Sequence, residues 1–247
     1  MFALGGVLAC AQSAASEDFR VENEVFFGNR KKAESRSTTI FREGVVYDYL
    51  EAPAEVIVFD KQAGRFVLLD TARRVRAELT TQEVLAFTQR LQRRAEAQED
   101  PFIKFLAAPR FGEQFDKASG ELTLSSAWMT YRLVLVDAES RSISRQYREF
   151  SDWYARLNTL LNPGSKPPLA RLAVNAALAK REAIPKEVRL TLTPRQGSPP
   201  KRTTIRSRHR LVRRLAEADL NRVAQTRQFM EIFKPVSFQQ YRRKERP

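Results

Sequence analysis

Three observations predict an α+β fold with a mainly antiparallel sheet. Between Glu55 and Leu79, three short apolar segments are joined by only six and then four residues. Connections that short force neighbouring strands to run antiparallel. Further along, Val84–Leu91 and Tyr147–Leu161 carry apolar residues at helical spacing. No Pro-, Gly- or Ser-rich run is long enough to part the 247 residues into two units. Residues 16–240 therefore read as a single domain, followed by a charged tail over 241–247.

Taken in order, Phe19, Val21, Val25 and Phe27 alternate with Arg20, Glu22 and Glu24, the period-2 pattern of a half-buried strand. Thr38–Phe41 and Val45–Leu50 read as two strands or one strand bent at Gly44. Glu55–Phe59, Phe66–Asp70 and Val75–Leu79 form a meander, with Gly64 suited to a positive-φ turn position. Thr80 or Thr81 can cap the helix that follows. It ends in the charged text Glu96–Asp100, and Pro101 begins a short helical turn. Leu122–Val136 reads as one long strand bent near Ser126.

Ser144–Leu161 is a second amphipathic helix, stopped by Asn162-Pro163-Gly164, and Leu169–Ala183 is a third. Val188–Leu192 and Thr203–Val212 are strands around a Pro194–Lys201 loop, and Asp219–Phe233 is the last helix. The expectation is roughly nine strands and four helices.

Composition narrows the chemistry. The chain is 43% hydrophobic and 29% charged, which suits a packed core. One His (His209) and one Cys (Cys10) rule out zinc fingers, disulfide scaffolds and Cys–His nucleophiles. No apolar run approaches the roughly 18 residues of a membrane span. The motifs G-x-S-x-G, H-E-x-x-H, G-x-G-x-x-G and the P-loop are all missing. Ser198-Pro199-Pro200-Lys201 matches S-x-x-K in letters only, since two prolines forbid the helical turn that motif needs. Asp48 with Glu51, and Asp60 with Asp70, are the carboxylate pairs available for acid–base work. The expectation is a binding protein without a cofactor, not an enzyme.

Residues 1–15 read as a secretory leader. Phe2–Ala11 is ten residues without a charge, and small residues follow before charged text begins at Glu17. Cleavage fits after Ala15 or Ser13, although a basic n-region is missing. Val7-Leu8-Ala9-Cys10 offers an alternative, a loose lipoprotein box with Cys10 as the lipidated residue. Cleavage leaves a mature chain without cysteine, as suits the periplasm or outer envelope.

The stretch EVIVFDKQAGRFVLLDTARRVRAELTTQEVLAFTQRL, Glu55–Leu91, runs strand–turn–strand–turn–strand–helix. With the leader before it and further strands and helices after, it resembles the bacterial periplasmic lipoprotein-carrier (LolA-like) superfamily. That resemblance implies a strongly curved antiparallel half-barrel with helices over its concave face. It further implies a bound lipid or lipoprotein acyl chain, or docking on a membrane protein. The helices between Ser144 and Ala183 depart from the minimal carrier. On this resemblance Val56, Val58, Phe66, Leu68, Trp128 and Tyr131 are the candidate lining of an apolar cup, and Val84, Phe87 and Leu91 its lid. The plain alternative for all nine is core packing.

Charge points to a second surface. The net charge is +14, and residues 195–247 hold 15 basic against 4 acidic residues. Arg206, Arg208 and Arg210 alternate along one strand, so period 2 sets them on one face about 7 Å apart. Arg213 and Arg214 extend the row. Such a row suits phosphates or carboxylates, and the alternative is a solvated strand face. In an exported protein the polyanion is an anionic envelope surface. Nucleic acid is the partner only of a chain that stays inside, and no helix-turn-helix or RNP pattern supports it.

Overall fold

The computed structural model describes residues 16–162, 164, 167–193 and 203–243. In chain order the elements are β1 Phe19–Phe27, β2 Ser35–Arg42, β3 Val45–Leu50, β4 Glu55–Asp60, β5 Arg65–Asp70 and β6 Val75–Thr80. Helices α1 Thr81–Glu96 and α2 Pro101–Ala107 come next, then β7 Gly112–Asp116, β8 Glu121–Ser125 and β9 Met129–Asp137. Helices α3 Arg141–Leu161 and α4 Leu169–Ala179 precede β10 Ala183–Leu192 and β11 Thr203–Val212. The chain closes with α5 Glu217–Ile232, β12 Lys234–Pro235 and α6 Phe238–Arg242. The expected leader with Cys10, the Ser198–Lys201 text and residues 244–247 lie outside the described residues.

All twelve described strands form one open sheet, ordered β12-β6-β5-β4-β3-β2-β1-β11-β10-β9-β8-β7. Every pairing is antiparallel except the two-residue β12, which runs parallel to β6. The fold is α+β. The pairing of β1 with β11 welds the N-terminal meander to the second set of strands. Two strands, not one bent strand, flank Gly44, because Glu43 and Gly44 both hold positive φ in a two-residue hairpin turn. Likewise Leu122–Val136 is a hairpin that reverses at Ser126, whose hydroxyl accepts from the Trp128 and Met129 amides.

Local chemistry sets the helix starts. Thr80 caps α1 in a reciprocal box with Glu83: the Glu83 amide donates to Thr80 Oγ1 at 3.1 Å, and the Thr80 amide donates to Glu83 Oε2 at 2.7 Å. Asp100 caps α2, with Pro101 in the first turn. Ser140 caps α3, which starts three residues before the apolar periodicity does.

Period-2 alternation gives the sheet two distinct faces. On the first, α1, α3 and α6 bury a cluster that includes Phe19, Phe41, Phe59, Phe66, Leu68 and Leu157. Helices α2 and α4 bury a second cluster on the same face, around Leu122, Tyr131, Leu133 and Val174. Helix α5 packs on the opposite face against Ile40, Tyr47, Val56, Val58 and Leu69. Helices therefore lie on both faces, whereas the sequence reading puts them on one. The reason is the continuous apolar text of β3, β4 and β5, which is buried from both sides. Tyr241, assigned to the tail from sequence, is buried on the first face, and its carbonyl accepts from Arg73 at 2.6 Å.

Candidate functional site

Residues expected to line one cup are divided among three places. Val56 and Val58 face α5, whereas Phe66 and Leu68 are fully buried on the first face. The β4–β5 register explains the split: Val58 is opposite Val67 and Phe59 is opposite Phe66, so Val58 and Phe66 point to opposite sides. From α1, Val84 is buried in the first-face cluster, and Phe87 and Leu91 are half-buried. Trp128 packs beside Phe102, with centroids 5.6 Å apart, and Tyr131 belongs to the α2/α4 cluster. All nine residues lie in the core or at its margin.

A cavity of about 420 Å³ does open on the first face, between α3 and strands β1, β2, β3 and β11. Its apolar wall includes Phe41, Leu50, Phe150, Tyr154, Ala155 and Ile205. Phe150 meets Phe41 edge-on at 5.8 Å and Tyr154 at 5.5 Å. Arg36 from β2 and Arg171 from α4 also border it.

A polar band crosses the floor of this cavity over four strands. Asn23 is opposite His209 on one side and Ser37 on the other, and Thr39 is opposite Asp48. Asn23 Nδ2 donates to Thr39 Oγ1 at 3.1 Å and to Ser37 Oγ at 3.2 Å. That leaves Asn23 Oδ1 as acceptor, so His209 carries its proton on Nδ1 and donates at 2.8 Å. His209 Nε2 then accepts from the Ser207 hydroxyl at 3.0 Å. At the far end Thr39 Oγ1 donates to Asp48 Oδ1 at 2.7 Å.

Burial sets the electrostatics of the band. It pushes the Asp48 carboxyl up to about 6, against hydrogen bonds from Thr39 and Ser37 and the charge of Arg222. His209 is pushed down to about 3, first by burial and then by the Arg171 cation. The imidazole is therefore neutral at ordinary pH. Ser207, His209 and Asn23 share the connectivity of a hydrolytic triad. Two features work against that chemistry. An imidazole held near 3 is a weak base at neutral pH. Ser207 lies in a strand bonded to β1 and β10, so the backbone donors around it belong to the ladders and not to an oxyanion hole. What the band can do is orient a bound polar group through neutral donors and acceptors.

Neither carboxylate pair named from the sequence is assembled. Asp48 is buried whereas Glu51 is exposed in a turn. Asp60 and Asp70 stand at opposite ends of the β4–β5 hairpin. The sequence does hold a signal for the polar floor of this cavity: Asn23 lies between Val21 and Val25, and Asp48 between Val46 and Leu50, each a polar residue in the inward phase of its strand.

The arginine row is placed as a strand face but its charges are largely matched. Arg208 reaches Glu187 at 3.5 Å, and Arg210 is paired with Glu22. Arg206 lies over the Phe26 ring at 4.6 Å. Arg213 turns away to Glu139 at 2.7 Å and the Ala138 carbonyl at 2.9 Å, and Arg214 is exposed beyond the strand. Among the described residues no helix is long and apolar enough to cross a membrane. Neither a protein-family model nor a curated protein matches this chain.

Proposed function

We propose that the chain is an exported cell-envelope binding protein that holds one lipid or lipoprotein acyl chain in the cavity beneath α3. On this reading the open sheet is a LolA-like half-barrel and the first face is its concave side. The carrying observation is the cavity of about 420 Å³ between sheet and helix, walled by aromatic and aliphatic side chains. Small-molecule sites are concave, mostly apolar and about 300–1,000 Å³ in volume, with a few placed polar groups. The Asn23–Thr39–Asp48 band supplies those groups on the floor, and Arg171 offers a cation to a carboxylate or phosphate end.

The test is extraction and mass spectrometry of the protein purified from its own host. Lipid is expected at up to one molecule per chain, and Ala155→Trp, which fills the cavity from α3, is expected to abolish it while the fold is retained. A wild-type protein that carries no lipid and takes up no fluorescent fatty acid after delipidation overturns the reading. Intact mass tests the export part: a mature form lacking about the first 13–15 residues, outside the cytoplasm, supports it. An uncleaved cytoplasmic chain overturns it.

A further inference from the structure

The face of β9, β10 and β11 opposite the cavity sets three arginines side by side. Arg132 is directly opposite Arg189, and Arg189 is directly opposite Arg206. Residues so placed on one face have Cβ atoms about 4.5–5.5 Å apart, where like charges repel. The neighbouring positions are built differently. Glu24 and Glu187 flank Arg208, and Glu22 holds Arg210. Within the triple row Arg189 shares Glu187 with Arg208, at 3.0 and 3.5 Å. Among the described residues Arg132 and Arg206 have no carboxylate partner, and Arg206 Nε makes no hydrogen bond.

These three side chains border a groove of about 740 Å³ with Arg30 and Lys31 from the β1–β2 connection; threonines complete much of its polar lining, and among the described residues no carboxylate lines it. Groove and cavity lie back to back at one end of the strands. Ile205 lines the cavity, while its neighbours Thr204 and Arg206 line the groove. Ser35 and Arg36 border the cavity just beyond the Gly28–Lys31 segment that borders the groove.

We infer that this groove docks the protein on an anionic lipid bilayer, with phosphate-bearing headgroups between Arg132, Arg189 and Arg206. An anion placed there removes the mutual repulsion of the row, and guanidinium groups bind phosphate bidentately. The cations spread in two directions, across the strands and onto the β1–β2 connection, which matches an array of headgroups. Single-stranded nucleic acid is held by exposed aromatic platforms beside the cations; Phe26, beneath Arg206, is buried, and the exposed Phe27 is opposite Ile205 in the phase of the cavity face, not the groove face. The inference rests on the proposed cavity for its purpose, since docking at this end sets the acyl-chain site close to the bilayer.

The experiment is co-sedimentation of the full chain with phosphatidylcholine vesicles with and without phosphatidylglycerol. Binding to the mixed vesicles only is expected, weakening as salt rises. A surface arginine contributes about fivefold, so Arg132→Ser/Arg189→Ser/Arg206→Ser is expected to weaken binding about a hundredfold. Glu187→Gln, which frees Arg189 and Arg208, is expected to strengthen it, and Arg213→Ser/Arg214→Ser to leave it unchanged. A triple variant that binds like the wild type, displacement of the vesicles by equimolar inorganic phosphate, or a preference for single-stranded DNA each overturns the inference. Lipid extraction from the same preparations separates the two readings. Vesicle binding lost with lipid retained marks the groove alone, and lipid lost in Ala155→Trp with vesicle binding retained marks the cavity alone. An absence of vesicle binding in a lipid-loaded wild type overturns the docking and leaves the cavity reading standing.

Discussion

Asp48 offers a direct measurement of the cavity floor. Its side chain lies on the first face of β3, is 2% exposed, and accepts from Thr39. Its pKa rises from 3.8 to about 6. Two units correspond to about 3 kcal/mol of preference for the protonated form in the folded state. Between pH 4 and 6 the folded chain thus binds more protons at this site than the unfolded chain, and stability falls as pH rises. Above pH 6 the full cost of the buried carboxylate is present. His209 acts in the opposite sense: its pKa falls from 6.5 to about 3, so its contribution to stability declines as pH drops through that window. The two slopes offset one another between pH 4 and 6.

Asp48→Asn keeps the acceptor for Thr39 and removes the ionisation. Relative to wild type it is expected to gain about 3 kcal/mol of stability between pH 4 and pH 7, most of it below pH 6. His209→Gln is expected to tilt the curve the other way, with stability falling from pH 4 to 6. Urea unfolding at successive pH values measures this, because urea does not screen charge and a constant m-value isolates the change in stability. Parallel curves for wild type and Asp48→Asn over pH 4–7 would refute the argument, since the carboxylate would then titrate as it does in the unfolded chain.

Leu68→Ala is expected to lose 2–5 kcal/mol in urea unfolding and to leave bound lipid unchanged, because Leu68 is fully buried and does not border the cavity. A loss of lipid without a loss of stability would return it to the binding site. Thr80→Ala breaks the reciprocal cap of α1 and is expected to cost about 1 kcal/mol. An unchanged urea midpoint would mean that the cap contributes nothing.

The elements legible in the sequence are those with strong local codes. The β4–β6 meander follows from its short connections, the start of α1 from the cap candidates Thr80 and Thr81, of which the fold uses Thr80, and α3 from its apolar stripe. Strand β7 was invisible because Gly112–Asp116 is exposed throughout and carries no apolar alternation. Strand β12 and helix α6 span two and five residues, too short for any period to register, and Tyr241 is recognised only once α6 packs against the sheet. Of the first residues of β10, Ala183 reads as the end of the third helix because small and apolar residues continue from α4, and Ile184–Glu187 read as neither helix nor strand because a register shift after Pro185 hides their phase.

The sequence by itself determined the fold class, the antiparallel sense of the meander and the clustering of positive charge near the C-terminus. It also placed Arg206, Arg208 and Arg210 on one face, since that follows from period 2 alone. Tertiary structure decided which face each strand buries and who stands opposite whom. A continuous apolar strand such as Val56–Phe59 has no inward phase until its partners are known, so Val58 and Phe66 fell on opposite sides of the sheet. Opposition across strands joins residues far apart in sequence: Asn23 with His209 on the cavity floor, and Arg132 with Arg189 and Arg206 in the groove. Register is a property of paired strands, and no single stretch of sequence contains it.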